Sequence, residues 1–167
     1  MGRWLFLISL GVGGYFLFHT FVAEGVLIAS GSMEPTLTVG RHIFANKMVY
    51  KFRKPRRGEI IVFSSPVEDK ELVKRVIAVE GDEVRLEKKK VFLNGRLLEE
   101  PYVQYTRPNE ILDGDNLDVG RVPSNCIFVL GDNRDQSGDS QDWIEPQTGK
   151  PLFFIRVNDI KGKLLGE

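Results

Sequence analysis

An uncharged apolar run near the start of the chain constrains it most: Trp4-Leu-Phe-Leu-Ile-Ser-Leu-Gly-Val-Gly-Gly-Tyr-Phe-Leu-Phe-His-Thr-Phe-Val22. As a helix, residues 4–22 are about long enough to cross the roughly 30 Å hydrocarbon core of a bilayer. A cleaved signal peptide or a buried helix would also be apolar. The run exceeds a typical signal-peptide core, however, and no small-x-small site closes it, which favours an uncleaved anchor over residues 1–24. Arg3 and the amino terminus in front of the run predict a cytoplasmic N-terminus, with everything after the anchor beyond the membrane. His19, near the outer end, is expected to reach the interface. Residues 25–167 then remain to fold in water.

That remainder reads as short strands punctuated by glycine and proline, with no long amphipathic helix and no internal repeat, so the expected class is mostly β with antiparallel hairpins. Residues 25–29 predict a short buried strand, residues 41–50 a looser one, and residues 51–57 a basic, proline-broken connection. Strands are also expected within 57–63, 71–82 and 122–130. Residues 83–93 predict two strands, followed by a tight hairpin turn at Asn94-Gly95. We expect 83–122 to be a subdomain or insertion, and residues 102–119, polar and rich in turn residues, to be an exposed loop or a small subdomain's edge.

Lysine plus arginine equals aspartate plus glutamate at 23 each, so no basic excess argues for nucleic acid. The lone Cys126 excludes an intrachain disulfide and is expected to pack as a small core residue. The two histidines, His19 and His42, offer it no obvious catalytic base.

Chemistry concentrates in three stretches. In Ser30-Gly31-Ser32-Met33-Glu34-Pro35-Thr36-Leu37, two hydroxyls flank a glycine. Such a turn can supply a nucleophile plus a second hydroxyl and free backbone N–H groups for an oxyanion, although Ser-Gly-Ser also occurs in plain turns. The second stretch carries Lys74 in an apolar β-rich run. Pointing outward, it would be an ordinary surface lysine; buried, its ammonium would be disfavoured and the neutral amine could take a serine proton. Arg75 would then project to the opposite face as a structural or surface residue. The third stretch is the acidic loop Gly131-Asp-Asn-Arg-Asp-Gln-Ser-Gly-Asp-Ser140. Neither Asp132 nor Asp135 begins an EF-hand ligand series, so no metal is expected, and a polar turn that positions a catalytic group fits better.

These three stretches, in this order behind an apolar segment, resemble the boxes of bacterial type I signal peptidases, membrane-bound Ser/Lys endopeptidases. The resemblance covers most of the chain, including residues 57–63 and, weakly, 156–162. It implies an N-terminal transmembrane helix followed by an antiparallel β catalytic domain of the signal peptidase type on the extracytoplasmic side of the bacterial cytoplasmic membrane. It implies Ser32 as nucleophile, Lys74 as general base, and the Ser30 hydroxyl with the Ser32 N–H as oxyanion hole. Ser137 would orient the lysine, and Asp139 and Asp132 would hold the loop. Ile28, Ala29, Met33, Leu37, Leu72 and Val73 fall where the family's shallow pockets receive small side chains. The implied partners are exported preproteins and membrane lipid, with no cofactor.

Two departures stand out: Ala29 occupies a position where the family usually has proline, and Gln141 one where it usually has arginine, which removes an expected ion-pair partner of Asp139. Residues 142–154 also exceed the compact family turn. Two alternatives remain open on the sequence. One is a specialised conjugation-type or self-cleaving Ser/Lys protease; the other is an inactive membrane-tethered binding module.

Overall fold

The computed structural model describes residues 2–21 and 23–166, with side chains at 3–15 and 23–166. Val22 and the side chain of His19 lie outside the described residues. Helix α1 (Gly2–Phe21) leads into the β domain. Its described apolar side chains, among them Trp4, Leu5 and Phe6, are exposed. Among the described residues no helix is long and apolar enough to cross a membrane.

Eleven short strands follow: β1 (Ala23–Leu27), β2 (His42–Asn46), β3 (Ile60–Ser64), β4 (Glu71–Val79), β5 (Glu83–Glu87), β6 (Lys90–Leu93), β7 (Arg96–Leu97), β8 (Leu117–Arg121), β9 (Cys126–Leu130), β10 (Ile155–Arg156) and β11 (Ile160–Leu164). Every strand pair is antiparallel. A seven-stranded sheet runs β1-β2-β11-β3-β4-β9-β10, and a four-stranded sheet runs β7-β6-β5-β8. The mostly β, antiparallel expectation therefore holds.

Local chemistry accounts for most boundaries. Asn94 and Gly95 adopt positive φ between paired Leu93 and Arg96, a two-residue hairpin whose backbone matches strand twist. Strand β2 ends four residues short of the expected span because the Asn46 side chain accepts hydrogen bonds from the N–H groups of Met48 and Val49 (2.8 and 3.1 Å). That bond turns the chain into the short helix α2 (Val49–Phe52). The expectation of a buried strand over 25–29 also needs correcting. Strand β1 sits at the sheet edge, with β2 as its strand neighbour and one face open, so it is only half-buried.

The core forms where sheets and turns cover one another. Ile77, Ala78, Phe128 and Leu130 of the large sheet pack with Val84, Leu86, Val91, Leu93 and Val119 of the small one. A second cluster places Ile28, Met33 and Leu37 against Ile43, Ile60, Val62 and Leu164. A third gathers Ile61, Phe63, Val76, Ile127, Val129, Trp143 and Ile155 on the opposite face of β3 and β4. Trp143 meets Phe63 edge to face at 6.0 Å and thereby anchors the 142–154 segment. Cys126 is partly buried against the first cluster, and burial pushes its thiol pKa up. Because Phe128 is fully buried between the two sheets, Phe128→Ala is expected to destabilise the domain by about 3–5 kcal/mol, read as a shifted midpoint in urea denaturation.

Candidate active site

The site lies where the serine turn, β4 and the acidic loop after β9 converge. Residues Gly31–Met33 form one turn of 3-10 helix, closed by bonds from Glu34 N–H to the Gly31 carbonyl (3.1 Å) and from Leu37 N–H to the Met33 carbonyl (2.9 Å). Met33 and Leu37 are buried in the core, which holds the turn on the sheet. Ser32 is 8% exposed, and the Ser30 hydroxyl donates to its Oγ at 3.3 Å. The two hydroxyls therefore address one small space.

Lys74 lies on β4 opposite Ile61 of β3. On the other side of β4, pairing with β9 begins at Arg75, so Leu72, Val73 and Lys74 border a strand edge without a ladder partner among the described residues. Lys74 is 2% exposed. Its Nζ donates to Ser137 Oγ at 2.8 Å, and Ser137 in turn donates to Asp139 Oδ2 at 2.5 Å. Asp139, fully buried, also accepts from the N–H groups of Gly131 (2.8 Å) and Gln141 (3.2 Å). Burial pushes the Lys74 amine below its ordinary pKa, against the pull of the Asp139 and Asp142 carboxylates. Burial likewise pushes the Asp139 carboxyl up, opposed by Lys74 and by its hydrogen bonds. Both shifts favour neutral forms, which suits an amine meant to accept a proton.

Arg75 does point away from Lys74, as strand alternation requires, yet it is buried rather than at the surface. It forms a two-pronged ion pair with Asp132 (2.9 and 2.7 Å), donates to the Gly58 carbonyl (2.8 Å) and stacks 4.0 Å from the Tyr102 ring centre. Thr36 donates to the same Asp132 carboxylate at 2.5 Å, linking the serine turn to the acidic loop. At the Gln141 departure, the Gln141 backbone still serves Asp139, while the neighbouring Asp142 carboxyl is pushed up to about 6 by burial and by Asp139.

Of the expected pocket residues, Ile28, Ala29, Met33, Leu72 and Val73 line a cleft of about 230 Å³ beside Ser30 and Ser32. Leu37 is not among its lining residues; at 1% exposure it packs in the core cluster with Met33 instead. Gly25, Val26 and Leu27 of β1, together with Val62 and Glu71, which the sequence did not anticipate, complete the lining. Among the described residues no group of His, Cys, Asp and Glu side chains is placed to hold a metal ion.

Several residues that assemble the site carry no individual signal in the sequence. Asn133 donates its backbone N–H to the Ser32 carbonyl (3.0 Å) and its side chain to the Gly31 carbonyl (3.1 Å), fastening the serine turn to the loop. Gln104 pairs with Asn133 as an isolated parallel bridge, so the 102–119 stretch, expected as an exposed loop or subdomain edge, also braces the acidic loop, and its end does enter β8 at the edge of the small sheet. Behind it, the buried Lys89 bonds both Asp135 (2.5 Å) and Asp115 (3.1 Å) from a turn at positive φ. Gly131 separates Ser32 from Ser137: a Cβ there would stand 2.5 Å from the Ser32 carbonyl oxygen and collide with the Ser137 side chain. A glycine closing a predicted strand was the one available hint. Gly131→Ala should cost about 1–3 kcal/mol through overpacking and displace Ser137 from Lys74, measurable as a lowered urea midpoint together with a movement of the Lys74 pKa by NMR.

Comparison with known proteins gives the family. The family model described as signal peptidase, peptidase S26 matches residues 1–165. A probable signal peptidase I-2 of Synechocystis sp. is 39% identical over 131 residues, covering 75% of this chain and 57% of that protein. Signal peptidase I P of Bacillus subtilis subsp. natto is 38% identical over 130 residues, covering 75% of this chain and 67% of that one. The crystal structure of a signal peptidase I from Enterococcus faecalis superposes with a TM-score of 0.52 at 28% identity, covering 68% of this chain and 98% of that chain. The chain thus spans about three fifths to two thirds of the length of these two sequence relatives.

Proposed function

The chain belongs to the peptidase S26 family of signal peptidases, and from that premise we propose that it is a serine endopeptidase that removes N-terminal signal peptides from exported preproteins. The observation that carries this reading is the buried relay of Lys74, Ser137 and Asp139 beside Ser32. Lys74, neutral when its proton is lost, takes the Ser32 proton as Ser32 attacks the scissile carbonyl. Ser137, whose own proton is committed to Asp139, accepts a hydrogen bond from the amine and so fixes its direction. The Ser30 hydroxyl and Ser32 N–H stabilise the oxyanion. The protonated lysine then delivers its proton to the leaving amine, and water, activated by the same lysine, releases the acyl group. Asp132 acts by holding the loop through Arg75 and Thr36.

Substrate enters as an extended segment along the unpaired edge of β4, with Ile28, Ala29, Met33, Leu72 and Val73 restricting it to small side chains and Leu37 packing with Met33 in the core. We assign residues 1–24 to an anchor that crosses the bacterial cytoplasmic membrane once, residues 25–167 to the extracytoplasmic peptidase domain, and 83–122 to a subdomain within it. The anchor reading is supported by the uncharged run at 4–22 and by the exposed apolar side chains of α1. Leu27, Phe44 and Leu165, exposed on the outer side of β1, β2 and the end of β11, offer lipid a further apolar surface close to the end of α1.

In lipid or detergent, wild type should release a mature protein with a single new N-terminus after a small-x-small sequence, identified by mass spectrometry. Ser32→Ala and Lys74→Ala should fall by at least about three orders of magnitude. Lys74→Arg should fall equally, because a guanidinium stays charged. The wild-type kcat/KM should rise with pH through a single ionisation lying below the ordinary lysine value of 10.5, as expected for a base that works deprotonated. Processing by Ser32→Ala would overturn the assignment.

A further inference from the structure

The cleft beside Ser32 is built of apolar and small residues with one exception among its lining side chains, Glu71. Glu71 opens β4, three residues before Lys74, and its backbone pairs with Ser64 on the β3 side. Strand alternation sends Glu71 and Val73 to the same face, the one on which Val62 and Met33 form the cleft floor. Its side chain is exposed, and no cation pairs with it among the described residues; the neighbouring Lys70 is engaged with Glu68 at 2.5 Å. Across the cleft stand Gly25 and Val26, which bring no charge. One uncompensated carboxylate thus marks the end of an otherwise neutral binding surface.

Resting on the peptidase reading above, we propose that Glu71 is a specificity-determining residue that reads charge at the fourth position before the cut. The placement follows from strand geometry. An extended substrate along the unpaired edge of β4 advances about 3.3 Å per residue, as β4 itself does, so Glu71 lies about 10 Å from Lys74. With the substrate running parallel to β4 and the carbonyl at the cut lying at Ser32, the residue level with Glu71 is three positions upstream of the one that supplies that carbonyl. A lysine or arginine there meets an attractive carboxylate; an aspartate or glutamate meets a repulsive one beside a low-dielectric wall. The pockets formed by Val73, Leu72 and Ala29 select size, and Glu71 selects charge one step further out.

The test uses full-length protein in detergent with three preproteins that differ at the fourth position before the cut: lysine, glutamine or glutamate. The readout is the ratio of kcat/KM for the lysine substrate to that for the glutamate substrate within each enzyme, so a general change in activity cancels. Wild type should prefer lysine about three- to tenfold at low ionic strength and lose most of that preference at 0.5 M salt, roughly where a Debye length falls below 5 Å. Glu71→Gln should bring the ratio close to one, and Glu71→Lys should invert it. A Glu71→Gln enzyme that keeps the wild-type ratio, or a wild type with no preference while it cleaves the glutamine substrate, overturns the proposal and leaves the peptidase reading standing. Failure of wild type to cleave any of the three overturns both.

Discussion

A lysine can be held in the interior next to a serine turn only if its surroundings tolerate an amine without water, and here that tolerance comes from Ser137 and Asp139. The hydroxyl of Ser137 donates a hydrogen bond to Asp139 and turns its lone pairs toward Lys74. Asp139, fully buried, is satisfied by two further backbone N–H groups. Without that arrangement Lys74 would leave an unpaired polar group in the interior, which costs more than a typical hydrogen bond returns. Most of the rest of the fold around the site exists to keep this group of side chains in register with Ser32.

Two connections do that work. The large sheet sets the position of Lys74, because β3 and β4 share a ladder from the Ile60–Arg75 pair to the Ser64–Glu71 pair and β9 delivers the acidic loop from the other side of β4. The loop then reaches back to the serine turn through Asn133, and Asp132 holds Thr36 and Arg75 at once. The small sheet contributes from behind, through Lys89 to Asp135. A displacement of any of these would be felt at Ser137 through packing and hydrogen bonds, since a well-packed interior has little slack; Gly131, wedged between Ser32 and Ser137, is the tightest point. The same sheet that fixes Lys74 leaves one side of β4 bare beside Leu72 and Val73, and this is where the cleft lies. The setting of Lys74 and the opening of the cleft thus both lie at one break in strand pairing.

The serine, lysine and acidic-loop stretches were legible in the sequence because each is local: a turn signal, one charged residue in an apolar strand, one polar loop. So were the β class, the hairpin at Asn94-Gly95 and the alternation that separates Lys74 from Arg75. Less legible were the limits of β1 and β2, since half-burial at a sheet edge and a side-chain bond from Asn46 depend on what lies beside them. Leu37 shows the same limit: the resemblance implies pocket lining, but in the fold Leu37 is fully buried in the cluster with Ile28, Met33 and Leu164.

What the sequence determined alone was therefore the chemical inventory and its order along the chain: an apolar N-terminal run, a serine turn, a lysine strand and an acidic loop, each encoded locally. Only the tertiary structure decided that Arg75 belongs to Asp132, that the 102–119 stretch braces the acidic loop, that Lys89 is drawn into the interior, and that Glu71 stands at the end of the cleft. These are contacts between residues as many as 57 apart in the chain, as for Arg75 and Asp132. Periodicity and turn chemistry report on neighbours within a few positions, whereas such contacts are set by the stacking of two sheets and the course of the loop that follows β9.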